Sequence, residues 1–145
     1  MILFSSELEL RLENKIKMNK FIIDVVNEKI FLMLITNKNI YNITYDNTKI
    51  NYEKLTMIID DFLKAKSLRI DDISKIYINI GPGSFAGIRN SLSIVKGIHL
   101  SQNIDFFCYS LHDFKDFDKI EYEDIPKLCD KNRIKKNLIN PLYLG

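Results

Sequence analysis

Between residues 21 and 45 the apolar positions fall into three short runs, Phe21–Val26, Ile30–Thr36 and Ile40–Tyr45, all rich in β-formers. Asn27-Glu28 and Asn37-Lys38-Asn39 separate them and have the length and chemistry of turns. Links this short predict antiparallel neighbours, because a parallel link needs about a dozen residues. The period then changes. Tyr52, Leu55, Ile58, Ile59, Phe62 and Leu63 share an arc of about 140° at roughly 100° per residue, with Glu53, Lys54, Asp60, Asp61 and Lys64 opposite. That predicts a helix over 51–66, with Asn51 a candidate N-cap. A connector with a turn at Asp71-Asp72 leads to a fourth strand over 76–80, a helix over 84–101 and a fifth strand over 104–109. The last three elements form a right-handed βαβ unit. The helix over 84–101 has an apolar arc of about 160°, through Gly87, Ile88, Ser91, Leu92, Ile94, Val95 and Ile98. That is wider than one sheet contact needs. A partner helix, or the C-terminal segment of the same chain, would cover the remainder.

Beyond Tyr109 the pattern is thinner. Ser110 is placed to cap one helical turn, residues 123–138 read as a short helix with Pro126 in its first turn, and Pro141 makes the end extended. Before Lys20, Leu8, Leu10 and Leu12 alternate with charged residues, and Met18 opens a fresh start. Residues 1–17 therefore read as an extension or a matter of start-site choice. The chain divides into that extension, a main body over 18–114 and a short C-terminal segment over 115–145.

Composition adds little until position is considered. A net charge of +2 makes no global demand for nucleic acid or an anionic membrane. Locally, residues 113–130 carry seven acids and three bases, and Lys131, Arg133, Lys135 and Lys136 follow at once. This is either a solvated surface or a basic patch for RNA. Cys108 and Cys129 have no metal or redox spacing and read as reduced thiols. No apolar run reaches the roughly 18 residues of a membrane span, and the start lacks the features of a signal peptide, so the expected compartment is the cytoplasm. His99 and His112 are too far apart for a metal motif, and no metal or cofactor is expected.

Four of the five glycines lie between 81 and 97. They centre on Gly81-Pro82-Gly83-Ser84-Phe85-Ala86-Gly87-Ile88-Arg89, a strand–turn–helix junction. Such a junction either cradles an anion on free helical amides or makes a tight turn capped by Ser84. A Walker loop would need a lysine that is missing, the third glycine is misplaced for a dinucleotide fingerprint, and no nucleophile elbow is present. Arg89 lies near the positive end of its helix and so calls for a carboxylate, with Asp24 the candidate.

This nonapeptide resembles the Gly-Pro-Gly-Ser-Phe-Thr-Gly-Leu/Ile-Arg signature of the TsaB family, which serves the synthesis of threonylcarbamoyladenosine in tRNA. Lys96-Gly97, Tyr109-Ser-Leu-His112 and Pro141-Leu-Tyr-Leu144 are similar to family positions as well. The β-β-β-α-β-α-β order resembles one lobe of the actin-like fold (ASKHA, ribonuclease H-like). The fold class expected is α/β, with a five-stranded mixed sheet and flanking helices. The resemblance implies a non-catalytic subunit that docks on the catalytic paralogue TsaD, with a TsaE-type ATPase joining and self-association through the same helices as a variant. Contact with tRNA would be indirect or weak. The implied motif residues are Gly81, Pro82, Gly83, Ser84, Phe85, Gly87 and Arg89. The expected partner interface is Tyr52, Leu55, Ile59, Phe62, Ile88, Leu92, Val95 and His99.

Three departures from the family pattern point away from catalysis. Val25-Val26 stand where the family has Thr-Ser, Ala86 replaces Thr, and only 26 residues separate Phe114 from Pro141, where relatives carry a second lobe. The alternative is a small enzyme that binds a nucleotide or acyl-adenylate at the Gly81–Gly87 turn.

Overall fold

The computed structural model describes residues 19–115 and 119–139. The expectations for residues 1–17 and for the end of the chain from 140 onward lie outside them. The elements run β1 (Lys20–Asp24), β2 (Lys29–Ile35), β3 (Ile40–Asp46), α1 (Lys49–Glu53), α2 (Leu55–Lys64), β4 (Lys75–Asn79), α3 (Phe85–Gln102), β5 (Asp105–Tyr109) and α4 (Ile125–Lys131), with single 3-10 turns at Ile70–Asp72, Leu111–Phe114 and Tyr122–Asp124. One five-stranded sheet has the order β3-β2-β1-β4-β5. β1, β2 and β3 are antiparallel neighbours, while β4 pairs parallel with β1 and β5 parallel with β4.

The strands are apolar on both faces because both faces are covered. Phe21, Ile23, Leu32, Ile76, Ile78 and Phe106 pack under α2 and α3. The alternate residues Ile22, Met33, Tyr77, Phe107 and Tyr109 pack under Phe114, Ile125, Leu128 and Cys129. The C-terminal segment therefore covers mainly the face opposite α3, rather than α3 itself, and only Ile139 reaches the helical side. Cys108 and Cys129 are free thiols in different clusters, and burial pushes both up to about 12, so neither is reactive.

Local differences from expectation have identifiable causes. The helix expected over 51–66 begins earlier, with Thr48 as N-cap, and breaks at Lys54. Asn51 is not the cap; its amide donates to Thr48 Oγ1 (3.2 Å). α2 ends on Ser67 in the left-handed region (φ 59°), with the Leu68 amide returning to the Leu63 carbonyl at 2.9 Å. The helix expected over 123–138 stops at Lys131 for the same reason. Arg133 is left-handed (φ 55°), and the Ile134 amide bonds the Cys129 carbonyl.

Candidate functional site

The glycine turn joins the C-terminal end of β4 to α3, beside the end of β1. Gly81 has φ +117°, a region that L side chains rarely adopt. Its amide donates to Asn79 Oδ1 (2.9 Å), and its carbonyl accepts from Ser110 Oγ (2.8 Å). Gly83 and Gly87 are needed for close approach. A Cβ on Gly83 would lie 2.3 Å from the Val26 carbonyl oxygen, and one on Gly87 would lie 2.7 Å from that of Val25.

The N-terminus of α3 is satisfied from within the chain. The Ser84 amide donates to the Val26 carbonyl (2.9 Å), and Ser84 Oγ accepts from the Gly87 amide (3.2 Å). The Tyr52 hydroxyl lies 2.7 Å from the same Oγ. The Val25-Val26 backbone thus occupies the position that a phosphate would take in a cradle of free amides.

Asp24 ends β1 with its side chain buried. Its Oδ1 accepts from the Val26 amide (3.2 Å), and its Oδ2 accepts from Asn79 Nδ2 (3.1 Å) and from the Tyr122 hydroxyl (2.9 Å). The Tyr122 ring stacks on Phe31, with centroids 4.0 Å apart. Burial and the neighbouring Asp24 carboxylate push the Tyr122 phenol above its ordinary range. Tyr122 stands between two cavities that share Asp24. One, of about 780 Å³, is lined also by Lys29, Asn47, Tyr52 and Ser84; the other, of about 260 Å³, by Tyr109 and Ile125. The charged groups lining the larger cavity are Asp24, Glu28 and Lys29, and Lys29 is paired with Asp46. That balance disfavours a bare phosphate.

Arg89 does not meet Asp24. Its guanidinium lies 5.5 Å from the centroid of the half-exposed Phe85 ring. His99 is engaged inside the chain, with Nδ1 2.9 Å from the Ile104 carbonyl and the ring edge-on to Phe106. Among the described residues, no three His, Cys, Asp or Glu side chains come together as a metal site.

The side chains expected at an interface are mostly turned inward. Leu55, Phe62, Ile88, Leu92 and Val95 are buried against the sheet, and Tyr52 is held by Ser84. An amphipathic helix shows its apolar arc to its own core first, and the sequence period does not tell a core arc from a docking arc. What α2 and α3 leave open is a groove of about 660 Å³ between them, floored by Ile59 and Leu63 and walled by Met57, Ile94, Gly97 and Ile98. Met57 is 55% exposed, and a Cβ on Gly97 would meet nothing within 4 Å. Asn79, Ser110 and Tyr122 escaped the sequence reading. Tyr122 is 98 residues from Asp24, and nothing in its local pattern marks it as a partner.

Comparison with known proteins agrees with this geometry. Residues 49–111 match the family model described as TsaD: tRNA N6-adenosine threonylcarbamoyltransferase. The structure is similar to that of YeaZ from Pseudomonas aeruginosa, with a TM-score of 0.60 at 17% identity, covering 64% of this chain and 44% of that one. A second structure is equally similar: an uncharacterized protein with similarity to peptidase YEAZ from Pseudomonas aeruginosa (TM-score 0.60, 17% identity, 64% and 43% covered). This chain spans less than half the length of either. No curated protein matches the sequence. In fold, then, the chain is TsaB-like, a single actin-like α/β lobe, and its central segment carries the TsaD family pattern.

Proposed function

We propose that the chain is a non-catalytic partner subunit of the tRNA threonylcarbamoyladenosine machinery, docking through α2 and α3 onto a TsaD-type subunit in the cytoplasm. The observation that carries this is the apolar groove between those helices, in the segment that matches the TsaD family. A helix of similar shape would bury Met57, Ile94 and Ile98 and approach closely over Gly97. The interface is therefore shifted outward from the arc expected in the sequence, and of that set only Ile59 lines the groove. A TsaE-type ATPase would join the assembled pair, and a second copy of the chain would compete for the same groove.

The inward-facing amides of the glycine turn support a structural role for Gly81–Arg89, which launches α3 at a fixed angle from the sheet. The test is co-purification with a TsaD-type subunit, using Gly97→Gln and Met57→Glu. Both positions are exposed and open, so the fold survives while the groove is filled or charged. Loss of the complex in both variants is expected. A complex that tolerates both changes, or saturable stabilisation of the chain alone by ATP and magnesium, would overturn the proposal.

A further inference from the structure

The edge of the sheet opposite the glycine turn collects cations from three distant segments. Lys20 and Lys75 are register partners on β1 and β4, and Lys75 is in turn the partner of Asp105 on β5. They share the parity of Ile22, Tyr77 and Phe107, and so lie on the face covered by the C-terminal segment. The Lys75 ammonium sits 5.8 Å from the Phe107 ring centroid.

After α4 the chain turns at Arg133 and Asn137, both left-handed. Asn137 fastens it to β5. Its amide donates to the Phe106 carbonyl (2.7 Å), its Oδ1 accepts from the Phe106 amide (2.9 Å), and its Nδ2 donates to Asp105 Oδ1 (2.9 Å). This clamp brings Lys135 and Lys136 to the same edge, with Lys136 Nζ 3.6 Å from Asp105. Arg133, Lys135 and Lys136 are exposed, and Lys20 and Lys75 are partly so.

Asp105 is the acid within the cluster, and it is shared between Asn137 and Lys136. Like charges directly opposite on neighbouring strands are destabilising, so the Lys20–Lys75 pairing has no benefit to the fold. The cations are strung along an edge rather than converging on a point. With strands about 4.8 Å apart they span roughly 15 Å, which fits successive charges of a polymer better than one phosphate group.

We propose that Lys20, Lys75, Arg133, Lys135 and Lys136 form a contact for the phosphate backbone of RNA. The proposal rests on the reading of the chain as a subunit of a tRNA-modifying assembly and adds a direct contact with the RNA. The groove between α2 and α3 lies on the other face of the sheet, so a protein partner and RNA do not compete for one surface.

The experiment is fluorescence anisotropy of an unmodified tRNA transcript with the full chain over a salt series. Four or five contacts predict a log–log slope of about −3 at roughly −0.7 per contact. Lys75→Glu/Lys136→Glu and Arg133→Glu/Lys135→Glu should each weaken binding at least about tenfold and flatten the slope by about 1 per residue. Lys38→Glu/Lys49→Glu, well separated in sequence from the cluster, serves as the charge control and should change neither. Circular dichroism establishes that each variant is folded.

Absence of salt-dependent binding, or equal weakening by the control, would overturn the proposal. So would competition by polyglutamate as effective as that by unlabelled RNA, which would point to an acidic protein instead. Co-purification of the same variants with the TsaD-type subunit separates the two ideas. A wild-type chain that binds RNA but no such subunit refutes the docking role and leaves this contact standing.

Discussion

Replacing Tyr122 by Phe removes one oxygen and tests how the C-terminal segment is held. In the native chain the hydroxyl donates to Asp24 Oδ2 at 2.9 Å, while the ring stacks on Phe31. The variant keeps the stack and deletes the bond. A hydrogen bond to a charged acceptor contributes about 1.5–3 kcal/mol net. Asp24 retains the Val26 amide and Asn79, and Tyr122 is partly exposed, which places the loss near the lower end, about 1.5 kcal/mol. In urea, with an m-value of about 1.5–2 kcal/mol/M, the midpoint should fall by about 0.8–1 M at unchanged m. Asp24→Asn and the double variant complete a cycle that isolates the pair.

The pH dependence has a definite sign. Burial first, and then Asp24, raise the phenol pKa in the folded chain. The contribution is therefore fully present below the unfolded tyrosine value, about 10, and is lost as pH rises towards the folded value. Above about pH 10 the wild type should lose stability faster than Tyr122→Phe. A variant within about 0.3 kcal/mol of wild type at neutral pH, with the same alkaline slope, would refute the view that Tyr122 ties the C-terminal segment to β1.

Tyr109→Phe makes the contrasting case. Its hydroxyl is buried without a hydrogen-bond partner, so the change should be neutral or stabilising by up to about 1 kcal/mol in the same denaturation assay, and a loss above that would reveal a partner. Gly83→Ala drives a methyl onto the Val26 carbonyl and should cost about 3 kcal/mol, read as a drop in Tm; an unchanged Tm would mean that the turn gives way. Ser67→Gly relieves a left-handed residue at the end of α2 and should raise stability by about 0.5–1 kcal/mol by urea titration, with a decrease counting against the assigned cap.

The order of elements and the pairing of the first three strands were legible in the sequence because period and link length act locally. A two-residue link forces antiparallel neighbours, and an apolar run of five residues must be covered on both faces. The glycine turn was legible for a similar reason, since Gly81 and Gly83 together report an unusual backbone. Its purpose was not. Only the fold brings Val25 and Val26 against Gly83 and Gly87 and shows that the space is filled by chain. The apolar arcs of α2 and α3 were read correctly as arcs and wrongly as docking faces, because a period of 3.6 records which side is apolar and not what covers it. The groove at Met57, Gly97 and Ile98, the tie from Tyr122 to Asp24 and the row of cations from Lys20 to Lys136 all join residues far apart in the chain. No local pattern encodes such meetings; they follow from sheet order, strand parity and the path by which the C-terminal segment crosses the second face.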